Sequence, residues 1–265
     1  MPDHQRPLRI AAIVCAAGSG TRFGTTKGGK LDADLHGKPV LIRSVEAIAR
    51  QPEVEQVIVA GPADPSALKD FRDRHGPALA KLGATICPGG VAERFETVKA
   101  ALDHLLQTTP EDHLPDAVLV HDAARPCTPE HVLRAVIDGL ASHPAVIPAV
   151  PLADTIKRAS PATPDTKAPP VGPRNVPASG AGCIGTVDHT VDRAGLYACQ
   201  TPQGFHLSLL REAYAQADLS STDDAQLVER LGEPVTLVAG DPRNIKITRP
   251  ADLDLARAIW PTLSE

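Results

Sequence analysis

Apolar runs alternate with amphipathic stretches along the whole of this chain. Short, almost continuous apolar runs at 8–16, 56–60, 84–87, 117–121, 145–150, 235–239 and 245–248 read as strands. Segments 41–50, 65–75, 93–106, 129–142, 207–217, 223–231 and 250–260 read as helices, with Thr222 suited by type to cap the sixth. The alternation predicts an α/β fold, a mostly parallel sheet flanked by helices. Val118-Leu119-Val120 is apolar at every position, as in a strand buried on both faces. One stretch, 159–181, breaks the rhythm. It carries Pro161, Pro164, Pro169, Pro170, Pro173 and Pro177, which rule out a core helix and predict an extended excursion.

Composition narrows the function classes. Hydrophobic residues make up 42% of 265, enough for a sizeable core. The net charge of −5 argues against a general nucleic-acid or membrane-surface binder, so an anionic ligand must be held by locally concentrated Arg and Lys. Five scattered cysteines without a CxxC pair predict neither a zinc site nor a disulfide framework, and a reducing, cytoplasmic setting is expected. No signal peptide or membrane-spanning run is expected from the polar N-terminus and the lengths of the apolar runs.

Candidate chemistry gathers where apolar runs end. The first run breaks into Ala16-Ala17-Gly18-Ser19-Gly20-Thr21-Arg22, with Lys30 soon after. Bare backbone N–H groups in such a turn can approach phosphate oxygens, and the cations can neutralise them. By itself the loop reads equally as an ordinary strand–helix turn. Gly24-Thr25-Thr26-Lys27-Gly28-Gly29-Lys30 also fits GxxxxGK, but Leu31 stands where a P-loop needs Ser or Thr for magnesium. Asp122 and Arg125, in His121-Asp122-Ala123-Ala124-Arg125-Pro126, fall at the C-terminal end of a buried run, where open α/β sheets place their sites. A carboxylate there can hold Mg²⁺, and an arginine can grip phosphate. Lys246 sits between two isoleucines; taken alone it reads as an edge-strand lysine facing solvent. Pro88-Gly89-Gly90, followed by Glu93-Arg94 and Thr97, reads either as a base-binding turn or as helix punctuation.

Taken in order, the AAGSGTR loop, HDAARP, DTIKR, TVDR, TPQGF, TDDA and NIKITRP resemble the 2-C-methyl-D-erythritol 4-phosphate cytidylyltransferase family of the isoprenoid pathway, over residues 13 to about 256. The resemblance implies a Rossmann-like nucleotidyltransferase domain (8–153 and 194–262) and a projecting β-arm (154–193) that mediates homodimerisation. It implies Mg²⁺-dependent reaction of CTP with a sugar-alcohol phosphate. It implies that Arg22, Lys30 and Lys246 are catalytic, and that Ala16, Ala17, Gly18, Gly20, Gly89, Gly90 and Thr97 bind the nucleotide. Asp122 would serve both metal and acceptor, and Arg125, Thr155, Arg193 and Thr201 would contact the acceptor.

The chain departs from the family pattern in places. Gly29-Lys30-Leu31 stands where the family usually has Pro-Lys-Gln, so Lys27 competes with Lys30; spacing to Gly37-Lys38-Pro39 favours Lys30. The Gly89-Gly90 turn is slightly longer than usual, and the arm carries an insertion between Arg158 and Val187. No fused cyclodiphosphate synthase domain is expected after Trp260. A pentitol-phosphate cytidylyltransferase and a catalytically weak CTP-binding homologue are the alternatives.

Overall fold

The computed structural model describes residues 6–18, 29–161 and 185–264. The chain divides into two units, one running to Val150 and resuming at Cys199, the other spanning Pro151–Ala198. In chain order the elements are β1 (Ile10–Cys15), the two-residue strands β2 (Asp34–Leu35) and β3 (Lys38–Pro39), α1 (Val40–Ala49), β4 (Val54–Gly61), α2 (Pro65–Ala80), β5 (Ala84–Pro88), α3 (Arg94–Thr108), β6 (Ala117–Asp122), α4 (Glu130–Gly139) and β7 (Ala145–Pro151). The smaller unit holds β8 (Ile156–Pro161) paired antiparallel with β9 (Gly185–Val191). β10 (Tyr197–Cys199), β11 (Gln203–His206), α5 (Leu207–Ala213), α6 (Ala225–Arg230), β12 (Thr236–Ala239) and α7 (Pro250–Ile259) follow.

The central sheet runs β7-β11-β6-β1-β4-β5, with β12 beside β7. β1 is parallel to β4 and β6, β4 to β5, and β7 to β12; β11 opposes its neighbours β6 and β7. Both faces are covered, as the unbroken apolar strands predict. Alternate residues of β1 supply two separate cores. Ile10, Ala12 and Val14 join α1, α2, α4 and α7 on one face. Ala11 and Ile13 join α3, α5 and α6 on the other. Ile10, Ile13 and Val14 each contribute about 1.5–3 kcal/mol by burial.

Several elements differ from the sequence expectation, the short β2, β3 and β10 among them. The 245–248 run is no strand: it makes no ladder, and Ile247 N donates instead to Ala124 O (2.8 Å). The in–out alternation survives, since Ile247 is fully buried and Lys246 is half-exposed. β11 was not expected, because Gln203-Gly204-Phe205-His206 has a single large apolar residue. α2 continues past Gly76 and Pro77 to Ala80, because Leu79 completes the buried row Leu68, Phe71, His75. Thr222 does not cap α6, whose first residue is Ala225; Asp223 Oδ1 accepts from Gln226 N (3.1 Å) there.

The strand order fixes where a ligand fits. The chain moves from β1 outward through β4 and β5, then returns to lay β6 on the other side of β1. A crevice therefore opens at the carboxyl ends of β1 and β6, the switch point of the sheet. There Cys15 and Asp122 are register partners.

Candidate active site

A cleft of about 370 Å³ lies at this switch point, and Ala16, Gly18, Lys30, Gly90, Asp122 and Lys246 are among its lining residues. Ala16 N donates to Ala60 O (2.8 Å), which pins the start of the loop after β1 to the end of β4. Gly89 N donates to Gly61 O (2.8 Å), and Gly90 N donates to Thr97 Oγ1 (3.1 Å). Both glycines are required by close approach. A Cβ on Gly89 would stand 2.7 Å from Ala17 Cβ, and one on Gly90 would stand 2.3 Å from Glu96 Cβ. Two separate turns thus present bare backbone to the cleft. Gly20, Arg22 and the rival Lys27 lie outside the described residues.

The opposite wall is built of charge. Asp122 Oδ2 is 2.8 Å from Lys246 Nζ and 3.7 Å from Arg125 Nε, and Oδ1 is 3.1 Å from Arg94 Nε. Arg94 Nη1 also reaches Asp224 Oδ2 (2.6 Å), a fully buried carboxylate whose other oxygen accepts from Tyr214 Oη (2.5 Å). Burial would raise the Asp122 carboxyl, but Lys246, Arg94 and Arg125 outweigh it and hold it well below the usual carboxylate range. Three cations against two carboxylates leave a positive excess at the floor of the cleft. Arg94 Nη2 and Arg125 Nε are buried donors with no hydrogen-bond acceptor among the described residues. That arrangement suits a multiply charged anion.

A polar network behind this wall fixes its geometry. Arg125 O can only accept, so the imidazole proton sits on Nε2 (3.3 Å). His121 Nδ1 then accepts from the Thr201 hydroxyl (3.2 Å), which itself accepts from Asp122 N (3.1 Å). Burial lowers His121 to about 4, so the ring is neutral at pH 7 and serves as a cross-link. Arg125 Nη1 donates to Asn244 O (2.6 Å), Thr128 Oγ1 to Asn244 Oδ1 (2.9 Å), and Asn244 Nδ2 to Thr201 O (2.9 Å). Asn244 is fully buried, so the segment bearing Lys246 is anchored two residues upstream. The Cys15 thiol, also at the cleft, is pushed up to about 12 by burial and is no nucleophile.

A family model, IspD: 2-C-methyl-D-erythritol 4-phosphate cytidylyltransferase, matches residues 10–167 and 178–261. The chain belongs to this family. The 2-C-methyl-D-erythritol 4-phosphate cytidylyltransferase of Frankia casuarinae is 42% identical, over 97% of this chain and 84% of that protein. The one from Streptomyces avermitilis is 40% identical, over 98% and 96%. Among solved structures, a 4-diphosphocytidyl-2C-methyl-D-erythritol synthase superposes with a TM-score of 0.71 at 31% identity, covering 96% of this chain and 99% of its own. The Thermus thermophilus cytidylyltransferase gives 0.66 at 29% identity, covering 95% and 98%. The fold is the Rossmann-like nucleotidyltransferase fold of these cytidylyltransferases.

Of the residues singled out in the sequence, this IspD-family chain brings Ala16, Ala17, Gly18, Lys30, Gly90, Thr97, Asp122 and Lys246 to one cleft. Gly89 supports the second turn, and Arg125 lies against Asp122. Thr201 is buried, with its hydroxyl spent on Asp122 N and His121 rather than open to a ligand. Thr155 and Arg193 belong to the smaller unit, where Thr155 is exposed and Arg193 Nη1 donates to Ala153 O. Arg94, Asp224 and Asn244 stand within the quoted motifs but were given no role of their own. The signal for Arg94 was its place in the first turn of a helix that follows a Gly-Gly turn. No group of three His, Cys, Asp or Glu among the described residues forms a metal cage. A divalent cation held at Asp122 would need further ligands from elsewhere. No helix among the described residues is long and apolar enough to cross a membrane.

Proposed function

We propose that this chain transfers the cytidylyl group of CTP to 2-C-methyl-D-erythritol 4-phosphate and releases pyrophosphate. The observation that carries the reading is Asp122, held by Lys246, Arg94 and Arg125 at the switch point and facing two bare glycine turns. In the reaction a phosphate oxygen of the acceptor forms a bond to the α-phosphorus of CTP. The bond from that phosphorus to the oxygen bridging to the β-phosphorus breaks, and the electron pair leaves with pyrophosphate. Two polyanions must meet, so charge stabilisation is the main demand. The acceptor phosphate is largely ionised at neutral pH, so no general base is needed. The neutral, inward-turned His121 agrees with that.

In this reading Ala16, Ala17, Gly18 and Gly20 offer backbone to the triphosphate, with Arg22 and Lys30 as its cations. The cleft position of Lys30 supports its part in this. Gly89 and Gly90 admit the flat base, and Thr97 holds their turn in place. Lys246 serves the phosphoryl group in transfer, and Asp122 and Arg125 the acceptor side. Thr155 and Arg193 add acceptor contacts, and Thr201 acts from behind Asp122. Mg²⁺, bound through Asp122 and the phosphates, would neutralise charge on the triphosphate. A homodimer through the smaller unit is part of the reading. A two-stranded ribbon as exposed as β9 is marginal in water by itself.

Incubation with CTP, Mg²⁺ and methylerythritol phosphate should release pyrophosphate, with ribitol 5-phosphate a much poorer acceptor. Equal use of both acceptors would overturn the assignment of substrate, and no release with either would overturn the reaction. Light scattering on the eluting protein should give twice the chain mass.

A further inference from the structure

We infer that Asp32 and His75 form a positioning pair that sets Lys30 at the phosphate end of the cleft; this rests on the cytidylyl-transfer reading above. His75 is out of place in its helix. Leu68, Phe71, His75 and Leu79 form the buried row of α2, and three of the four are apolar. The His75 ring is 3% exposed and stacks at a tilt on Phe71, with centroids 4.9 Å apart. An apolar side chain would fill that position without needing a polar partner.

The partner His75 has found is Asp32. Its Oδ1 lies 2.5 Å from His75 Nε2, and Arg74 Nε stands 3.4 Å from Oδ2. Asp32 is two residues from Lys30, which lines the cleft. Between them Leu31 is buried in the core beside α1 and β1. Leu41 N donates to Leu31 O (3.1 Å), and Val40 N donates to Ala33 O (3.0 Å). On its upstream side Lys30 has Gly29 at φ +73°. The family's usual proline before the lysine would fix φ near about −65°; this chain has the least restrictive residue there. Downstream of the lysine, Asp32–His75 is a side-chain fastening.

A pair kept only for folding would be poorly chosen. Replacing both members of a buried polar pair with apolar groups is often neutral or stabilising. A cation serving phosphate has no such latitude, because a displacement of about 1 Å can cost on the order of 100-fold in rate.

The test is the double variant Asp32→Ala/His75→Leu, assayed for pyrophosphate release from CTP. The expected result is a melting temperature within a few degrees of wild type and kcat/KM for CTP lower by about 10- to 100-fold. Lys30→Ala should add little in that background, because the pair acts through Lys30. Unchanged turnover in the double variant would overturn the inference. So would an equal loss from Lys30→Ala in both backgrounds. If the wild-type protein releases no pyrophosphate, the reaction reading fails, and amide hydrogen exchange of Asp32→Asn judges the pair separately. The same measurement decides if the double variant does not fold. Faster exchange confined to residues 29–33 supports the fastening, and unchanged exchange there overturns it.

Discussion

On the β6 side of the cleft, Asp122, Arg125 and Lys246 are held by side chains. Thr201, His121, Asn244 and Asp224 sit behind them and bind one another or the wall. On the β1 side backbone fastenings prevail, Ala16 N to Ala60 O and Gly89 N to Gly61 O, with the Thr97 hydroxyl holding Gly90 N. The difference follows from what each wall must present. Fixed charge needs side chains locked from behind, whereas a wall of N–H groups needs side chains kept out of the way. The charged wall should therefore be sensitive to losing a functional group, and the glycine wall to gaining an atom.

The largest effect is expected on the charged wall. Lys246→Ala removes a half-exposed ammonium but leaves Arg94 and Arg125 on the buried Asp122, so the melting temperature should fall only modestly. Turnover should fall by roughly 10²- to 10³-fold, the usual cost of removing one donor to developing charge. Parallel pyrophosphate assays and thermal melts check this, and matched losses in both would make the lysine structural.

The next concerns the cross-link behind that wall. His121 is lowered to about 4 when folded, against an ordinary value near 6.5. Between those values the unfolded chain binds the proton and the folded one does not. Stability should therefore fall as pH drops from about 6.5 to 4, by roughly 3 kcal/mol from this residue. Asp122 titrates well below that window when folded, so its contribution is lost only in stronger acid. Urea melts between pH 7 and 4.5 should show the slope, and His121→Gln should flatten it.

Thr201→Val leaves the Asp122 amide and His121 Nδ1 without their shared partner. The expected cost is about 1–3 kcal/mol of stability, with a smaller loss of turnover than Lys246→Ala. On the opposite wall, Gly90→Ala forces the first turn of α3 to move, since the new Cβ would lie 2.6 Å from Thr97 N. That should cost about 1–3 kcal/mol and raise KM for CTP more than it lowers kcat. A Gly90→Ala variant with unchanged KM would remove the turn from the nucleotide site and erase the contrast between the walls.

Much of this was legible along the chain because it is local. The apolar runs mark β1 and β6, and the residues just past their ends are the loop and Asp122 that the switch point brings together. The parts that were not legible depend on distant partners. Arg94 matters through Asp224, 130 residues away in sequence. The 245–248 segment has strand-like alternation but finds Ala124 O instead of a ladder. α2 runs through Pro77 because packing at Leu79 outweighs the lost helical bond. β11 has little apolar signal of its own and becomes a strand because β6 and β7 leave a place between them.

That place has a consequence for the newborn chain. β6 and β7 follow one another along the sequence, yet β11 lies between them, contributed by residues made only after the smaller unit. Until that segment leaves the ribosome, the apolar strand Ala117–Asp122 has an uncovered edge. The wall bearing Lys246 comes later still. Synthesis therefore passes through an interval in which the glycine turns can already exist but no catalyst can, and in which that open edge is exposed to mispairing.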